Sequence, residues 1–151
     1  MGAVTYPDDD VAEFISNRMI PVQLKANVQP YAKDFNIKWT PSFITLDENG
    51  AGHQRIVGFL PPEEFIPAMM LGISKVHFDL DRFEEALVEL ENLIAEFPKS
   101  KATPEAVFFR GVTGFKSTKD PKPLKAAYEK LQAEYPDSEW TPRALPYRLI
   151  P

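Results

Sequence analysis

The local fold of the N-terminal half is decided by residues 39–60, WTPSFITLDENGAGHQRIVGFL. The aromatic, apolar and β-branched residues from Trp39 to Leu46 predict a strand. The sequence Asp-Glu-Asn-Gly at 47–50 predicts a turn, because Asn-Gly accepts the positive φ angles that a tight hairpin needs. A return strand is expected from His53 to Leu60, so the whole stretch predicts an antiparallel β-hairpin.

The residues before the hairpin predict two helices and one more strand. Three aspartates at 8–10 precede an apolar-periodic run, and carboxylates at a helix start cap orphan N–H groups, so a helix is expected at 9–18. The same acids could hold a cation, although a hard cation needs oxygens from several elements. Residues 21–26, PVQLKA, alternate as a strand does, and a short helix is expected at 29–35.

From residue 61 onward the pattern is helical. Prolines and acids at 61–64 open the first helix, and Pro67 is expected to kink or restart it. Apolar residues at helical spacing then predict helices at 68–78, 82–97, 104–116 and 121–135, with a short one after Pro142. We therefore predict two domains: a partial α/β domain with about three strands at 1–66 and an all-α domain at 67–151.

The C-terminal half contains an internal repeat. The segment FPKSKATPEA at 97–106 matches YPDSEWTPRA at 135–144, with the aromatic residue, Pro, Ser, Thr, Pro and Ala in register. The aromatic-Pro pair is expected to end one helix. Thr-Pro is expected to begin the next, with the threonine hydroxyl as the N-cap. The spacing, near 40 residues, falls in the range of helical solenoids.

These repeats resemble tetratricopeptide repeats, especially the Tyr-Pro-x-Ser variant of bacterial envelope and assembly proteins. The resemblance covers residues 68–150 and implies a helical module that binds a protein or peptide. The turn at 119–123, KDPKP, departs from the usual pattern. Only about two repeats are present where a solenoid usually needs at least three, so the α/β domain is expected to act as an N-terminal cap.

The order of elements over residues 4–66 resembles the second part of a thioredoxin fold. The residues that carry the resemblance are FNIKWTPSF at 35–43, DENG at 47–50 and Gly58. The resemblance implies that the Thr40–Pro41 bond is cis and that the backbone of Thr40 pairs with an extended substrate. Trp39, Thr40 and Pro41 are therefore the candidate peptide-binding residues. The Cys-x-x-Cys part of the family would precede Met1.

The composition excludes several function classes. The chain has no cysteine, which excludes disulfides, thiolate metal ligands and cysteine nucleophiles in this polypeptide. The net charge of −5 argues against a nucleic-acid partner. No apolar run is long enough to insert into a membrane. The first residues lack the pattern of a signal peptide, which leaves the cytoplasm as the default compartment.

No catalytic, cofactor-binding or metal-binding residue is predicted. His53 and His77 sit on different elements without a ligand cluster, and we interpret them as a solvated hairpin residue and a helix-end residue. The acid pairs at 63–64 and 84–85 are interpreted as helix-start residues rather than catalytic carboxylates. The chain has no P-loop, dinucleotide-binding or nucleophile-elbow motif.

Three functional hypotheses follow. The first is a non-enzymatic protein-binding or scaffold module. The second is a thiol–disulfide oxidoreductase of the thioredoxin family whose Cys-x-x-Cys lies upstream of Met1, with Thr40 and Pro41 on its substrate side. The third is a structural protein that only assembles. The strand that the family places between residues 21–26 and 42–46 is missing, and unpaired strand edges are costly. Three outcomes are open: the sheet rearranges to close the gap, a second copy supplies a strand, or the natural protein is longer than this chain. We expect self-association as the observable result.

Overall fold

The computed structural model describes all 151 residues. Residue contacts divide the chain into two compact units, Met1–Ile66 and Pro67–Pro151. The first unit holds two helices and two strands, and a long helix runs across the boundary into the all-helical second unit. In chain order the elements are α1 (Asp9–Arg18), α2 (Tyr31–Asp34), β1 (Ser42–Leu46), β2 (Gly52–Val57), α3 (Pro62–Asp79), α4 (Phe83–Glu96), α5 (Thr103–Thr118), α6 (Lys122–Glu134), α7 (Trp140–Ala144) and a 3₁₀ helix (Leu145–Leu149). This arrangement confirms the predicted fold class, a small sheet with helices followed by a helical module.

The predicted hairpin is present as a two-stranded antiparallel sheet of β1 and β2. Its register pairs Ser42 with Val57 and Ile44 with Arg55. The register shifts between Thr45 and Leu46, so β2 carries a bulge near its start. The turn contains Gly50 at φ +81°, which agrees with the positive φ expected from the Asn-Gly pair.

One face of this hairpin packs into the core of the first unit. Phe43 meets the ring of Phe65 edge to face, with 5.8 Å between ring centroids, and Tyr6 meets the same ring at 6.1 Å. Phe65 and Val11 are buried, which places α1 and the start of α3 in this core. Thr5 is fully buried, and its hydroxyl donates a 2.6 Å hydrogen bond to the Leu60 carbonyl oxygen. These contacts leave the opposite face of the hairpin largely uncovered, with Leu46, Arg55 and Val57 exposed and Ile44 half-buried.

Helix α1 begins and ends where the sequence predicts. Asp8 is its N-cap, and the side-chain oxygen of Asp8 accepts a 3.1 Å bond from the Val11 N–H. Asp9 and Asp10 lie in the first turn, where acids suit the positive end of the helix dipole. The structure therefore supports the capping interpretation for Asp8.

The predicted strand at 21–26 is wrong, and the sheet has two strands rather than about three. No strand is assigned to this segment, and residues 20–27 are all exposed. A strand exists only through the ladder that it forms with a neighbour, and no neighbour pairs with this segment. The side chains of this segment do alternate as in a strand. No neighbouring strand pairs with them, so the segment is not a strand.

The second unit is a series of helices that pack on their chain neighbours. Helix α4 packs on α5, α5 on α6, and α6 on α7 and the 3₁₀ helix. Phe78 near the end of α3 contacts the rings of Phe83 and Phe109, at 5.5 and 4.8 Å between centroids. The fully buried apolar residues of this unit include Ala86, Leu90, Leu93, Ala106, Val107, Ala127, Leu131 and Ala144. The apolar periodicity of the sequence thus forms one face of each helix.

The two turns of the internal repeat have the same hydrogen bonds. In each, the threonine hydroxyl donates to the carbonyl of the aromatic residue before the first proline: Thr103 to Phe97, and Thr141 to Tyr135 at 2.6 Å. The serine N–H of each turn donates to the same carbonyl, at 3.1 Å in both. The Tyr135 hydroxyl also donates to the Pro98 carbonyl at 2.8 Å, which links the second turn to the first.

The predicted role of these threonines as N-caps is wrong. Helix α5 begins at Thr103 itself and has no side-chain cap. The hydroxyl instead satisfies the Phe97 carbonyl at the end of α4, one of the carbonyls that a helix end leaves without an intrahelical partner. The threonine therefore fastens the helix start to the preceding helix end.

Helix α3 also differs from the prediction, because it runs unbroken through Pro67. The missing proline N–H would have bonded to the carbonyl four residues earlier, in the first turn of this helix, so one hydrogen bond is lost near its start. None of the helices combines the length and the apolar character that crossing a membrane requires.

Candidate functional site

The candidate peptide-binding residues lie on the loop that leads into β1. Trp39 is 69% exposed, Thr40 is exposed and Pro41 is half-buried. The Thr40–Pro41 bond is cis, as the family resemblance implies. Two bonds hold the loop in place: the Ser42 hydroxyl donates to the Trp39 carbonyl at 2.6 Å, and the Gly58 N–H donates to the Pro41 carbonyl at 2.8 Å.

Gly58 has a specific reason to be glycine. Its φ is +108°, a conformation that residues with a side chain rarely adopt. This backbone geometry turns its N–H toward the carbonyl of Pro41 just after β2 ends. The glycine that the resemblance singled out therefore anchors the loop that carries Trp39.

Trp39 lines an open groove on the uncovered side of the hairpin. The groove has a volume of about 420 Å³, and its lining residues are Asn36, Lys38, Trp39, Ser42, Arg55 and Val57. Val57 is itself 53% exposed, so the groove offers two apolar side chains to a ligand. Thr40 and Pro41 are not among the lining residues, so the structure brings only one of the three predicted residues into the groove.

Arg55 connects the groove to helix α2. Its guanidinium donates to the carbonyl oxygens of Phe35 and of Asn36, the latter at 3.2 Å. These carbonyls follow the last residue of α2, where a cation is favoured by the helix dipole and by unpaired acceptors. Arg55 therefore fixes the segment that carries Lys38 and Trp39 against the strand β2.

The groove is positively charged on a chain that is acidic as a whole. Lys38 and Arg55 line it, and none of the lining residues is a carboxylate, whereas the whole chain carries −5. A guanidinium has five N–H donors in a rigid fork, and two of them make the bonds to the α2 end. The remaining donors suit a carboxylate or a peptide carbonyl.

Sequence reasoning missed five of the groove residues: Asn36, Lys38, Ser42, Arg55 and Val57. The register of the hairpin was the signal that could have found three of them, since Ser42 pairs with Val57 and Arg55 is two residues from Val57 along β2. Side chains two residues apart in a strand share a face. What the sequence could not show is which of the two hairpin faces stays uncovered.

A second polar contact lies at the hairpin turn. The Asp47 carboxylate is 3.2 Å from Nε2 of His53, and both side chains are more than nine-tenths buried. The same carboxylate accepts the N–H groups of Ala51 and Asn49, at 2.9 and 2.8 Å. The Ala51 bond, followed by the His53 contact, lowers the pKa of Asp47 below its usual value. The expectation that His53 is a solvated residue is therefore wrong, because it packs against the turn.

The structure offers no cluster of metal ligands, and the chain offers no thiol. No group of three or more His, Asp or Glu side chains is placed to hold a metal ion. His53 lies in β2 and His77 in α3, as their separate sequence positions suggest. The chain contains no cysteine, so it supplies no thiol of its own for disulfide exchange.

Comparison with known proteins finds a family match in the first part of the chain. A family model described as a thioredoxin-like domain matches residues 1–71. No curated protein and no solved structure gives a significant match to the chain. The matched residues include the hairpin, the cis Thr40–Pro41 bond and the groove beside Trp39. The first 71 residues of this chain are therefore similar to a thioredoxin-like domain.

Proposed function

We propose that the chain is a non-enzymatic protein-binding module whose groove beside Trp39 holds an extended, acidic peptide segment. The observation that carries the proposal is the 69% exposure of the Trp39 side chain at the edge of this groove. Large aromatic side chains dominate binding energies when a partner covers them. Because hydrogen bonds hold its loop in place, Trp39 is already positioned for a partner to cover it.

The backbone next to Trp39 supports an extended ligand. The N–H and C=O groups of Thr40 make no hydrogen bond within the chain. Free backbone groups beside a strand can pair with an extended peptide, as in β-strand addition. Lys38 and Arg55 favour a carboxylate on that peptide because the groove lining has no negative charge of its own.

The experiment is selection of peptides from a random display library on the full chain, followed by calorimetric titration of the enriched peptides. Trp39→Ala should weaken their binding by about tenfold or more, since truncating a central aromatic commonly costs about 2 kcal/mol. Val88→Ala is the matched control, because Val88 is 57% exposed but lies on α4. Binding of every enriched peptide at equal strength to wild type and Trp39→Ala would overturn the proposal.

The charge requirement is tested with the same peptides. Replacing their acidic residues with amides should weaken binding and reduce its dependence on salt, because screened charge pairs lose strength as ionic strength rises. Selection of peptides without acidic residues would contradict this part of the proposal while leaving the role of Trp39 intact.

We further propose that the second unit is a tetratricopeptide-like module that adds a second protein-contact surface. Its support is the shared set of hydrogen bonds in the two turns, where a threonine hydroxyl and a serine N–H meet the same aromatic carbonyl. Such repeats present a continuous surface for a partner chain. Peptides that bind the Trp39→Ala variant as strongly as wild type, but bind more weakly when residues of α5 are substituted, would reveal that surface.

One alternative function has an observation in its favour. The thioredoxin-like match over residues 1–71 is compatible with a thiol–disulfide oxidoreductase whose Cys-x-x-Cys is encoded upstream of Met1. In that case Thr40 and Pro41 would support the substrate beside the reactive thiol. Reading the genomic frame upstream of the Met1 codon decides between the two: an in-frame Cys-x-x-Cys supports the oxidoreductase, and a stop codon before one excludes it.

A further inference from the structure

Residues 20–25 expose an apolar stripe that nothing in the chain covers. Ile20 is 93% exposed, Val22 75% and Leu24 48%. These three side chains alternate with Pro21, Gln23 and Lys25, so an extended backbone places all three on one face. A stripe of this kind has the pattern of the buried face of a strand, but here no sheet buries it.

The backbone of the segment is equally unpaired. The Met19 N–H bonds back to Ile15, and the Lys25 carbonyl accepts from Val28. Between these two bonds, residues 20–24 make no backbone hydrogen bond. Met19 is already extended, at φ −140° and ψ 160°. The N–H and C=O groups of the segment are therefore available to a strand from outside.

We propose that a second copy of this chain supplies that strand, by antiparallel pairing of residues 20–24 about a two-fold axis at Val22. In this register Val22 faces Val22 of the other copy, and Ile20 faces Leu24. All six apolar side chains then lie on one face of the two-stranded ribbon. Residues 19–24 contain no charged side chain, so the paired stretch brings no like charges together.

The position of Pro21 supports this register. In an antiparallel pair, hydrogen-bonded and non-hydrogen-bonded residue pairs alternate. Placing Ile20, Val22 and Leu24 at the hydrogen-bonded pairs puts Pro21 opposite Gln23 at a non-hydrogen-bonded pair. Proline has no N–H to donate, so it loses nothing at that position. Each of the three hydrogen-bonded positions has its N–H, and the ribbon gains six backbone bonds.

The short length of the paired segment sets the expected affinity of the dimer. A stable interface uses about 20–30 residues on each side, and a two-stranded ribbon is marginal by itself in water. The dimer should therefore be weak and visible only at high protein concentration. This inference does not depend on the proposed peptide groove, because none of the groove residues belongs to the segment.

Cysteine cross-linking tests the register directly, and the natural absence of cysteine makes the experiment clean. Hydrogen-bonded partners in an antiparallel pair have Cα atoms about 5.5 Å apart, within the range that a disulfide spans. Val22→Cys should therefore form a covalent dimer rapidly under mild oxidation. In Gln23→Cys the two introduced residues lie offset by two positions, roughly 8 Å apart, which exceeds the limit of about 7 Å.

The expected result is cross-linking of Val22→Cys at least tenfold faster than of Gln23→Cys. Sedimentation of the unmodified chain should show concentration-dependent dimer, and Val22→Lys should weaken the dimer at least tenfold by placing two ammonium groups at the axis. Gln23→Lys adds the same charge on the other face and should weaken it less than threefold. Equal cross-linking rates, a monomer at every concentration, or an undiminished dimer in Val22→Lys would each overturn the inference.

Discussion

The contact between α5 and α6 makes a quantitative prediction for Gly111→Ala. A Cβ at Gly111 would lie 2.6 Å from the Cβ of Ala127 and 2.9 Å from the carbonyl oxygen of Pro123. Carbon atoms pack comfortably at about 3.5–4.0 Å, so the helices must separate by about 1 Å. Both contacted atoms are fixed to the backbone of α6, so no side-chain rotation relieves the overlap.

The magnitude follows from two opposing terms. Replacing glycine by alanine inside a helix favours folding by about 1 kcal/mol. Overpacking a close-packed contact costs about 1–3 kcal/mol, and the backbone-fixed overlap at Gly111 puts this case at the upper end. The expected net loss is about 2 kcal/mol in the free energy of unfolding. For a unit of this size, each kcal/mol lowers Tm by about 4–8 °C.

Urea unfolding followed by circular dichroism at 222 nm measures this loss. Gly2→Ala is the control, because a Cβ at Gly2 meets nothing within 4 Å, and its midpoint should barely change. Ala127→Gly in the Gly111→Ala background removes the closest overlap, so the double variant should be at least about 1 kcal/mol more stable than the sum of the single changes. A Gly111→Ala variant as stable as wild type would refute the reasoning.

Two further predictions concern the turn of the repeat and the hairpin. Thr103→Val keeps the shape of a fully buried side chain but removes its hydrogen bond to the Phe97 carbonyl. Urea unfolding should therefore show a loss of about 1–2 kcal/mol in the free energy of unfolding. An unchanged free energy of unfolding would contradict the role of Thr103 in joining the two helix ends. The pKa of Asp47 is lowered in the folded state, so its contribution to stability is complete above its ordinary pKa near 4 and is lost as pH falls through the lower folded value. The urea midpoint of Asp47→Asn should therefore fall less than that of wild type between pH 5 and pH 2, and parallel decreases would show that the carboxylate contributes nothing.

Local features could be predicted from the sequence with good accuracy. The bounds of α1 follow from the acids at its start and from apolar spacing, and the hairpin follows from two strand-like runs around Asn-Gly. The cis Thr40–Pro41 bond follows from the family resemblance. In each case the deciding residues are neighbours in the chain, or residues whose motif belongs to a recognised family.

Three of the misses share a cause, which is a bonding partner that is absent or that lies outside the local pattern. The segment at 21–26 has the alternation of a strand but no neighbouring strand to pair with. Thr103 bonds to the carbonyl six residues before it rather than to its own helix. Arg55 reaches carbonyls 19 and 20 residues earlier, an arrangement that no local pattern specifies.

The sequence by itself determined most of the element types, the absence of a thiol and the repeated Pro-Ser and Thr-Pro turns, because these depend on backbone preferences and composition. Only the tertiary structure decided which face of the hairpin is buried and which carries the groove of Lys38, Trp39 and Arg55. It also decided that residues 20–24 remain unpaired. Burial and strand pairing depend on residues that folding brings together across the chain, and a pattern of neighbours does not contain that information.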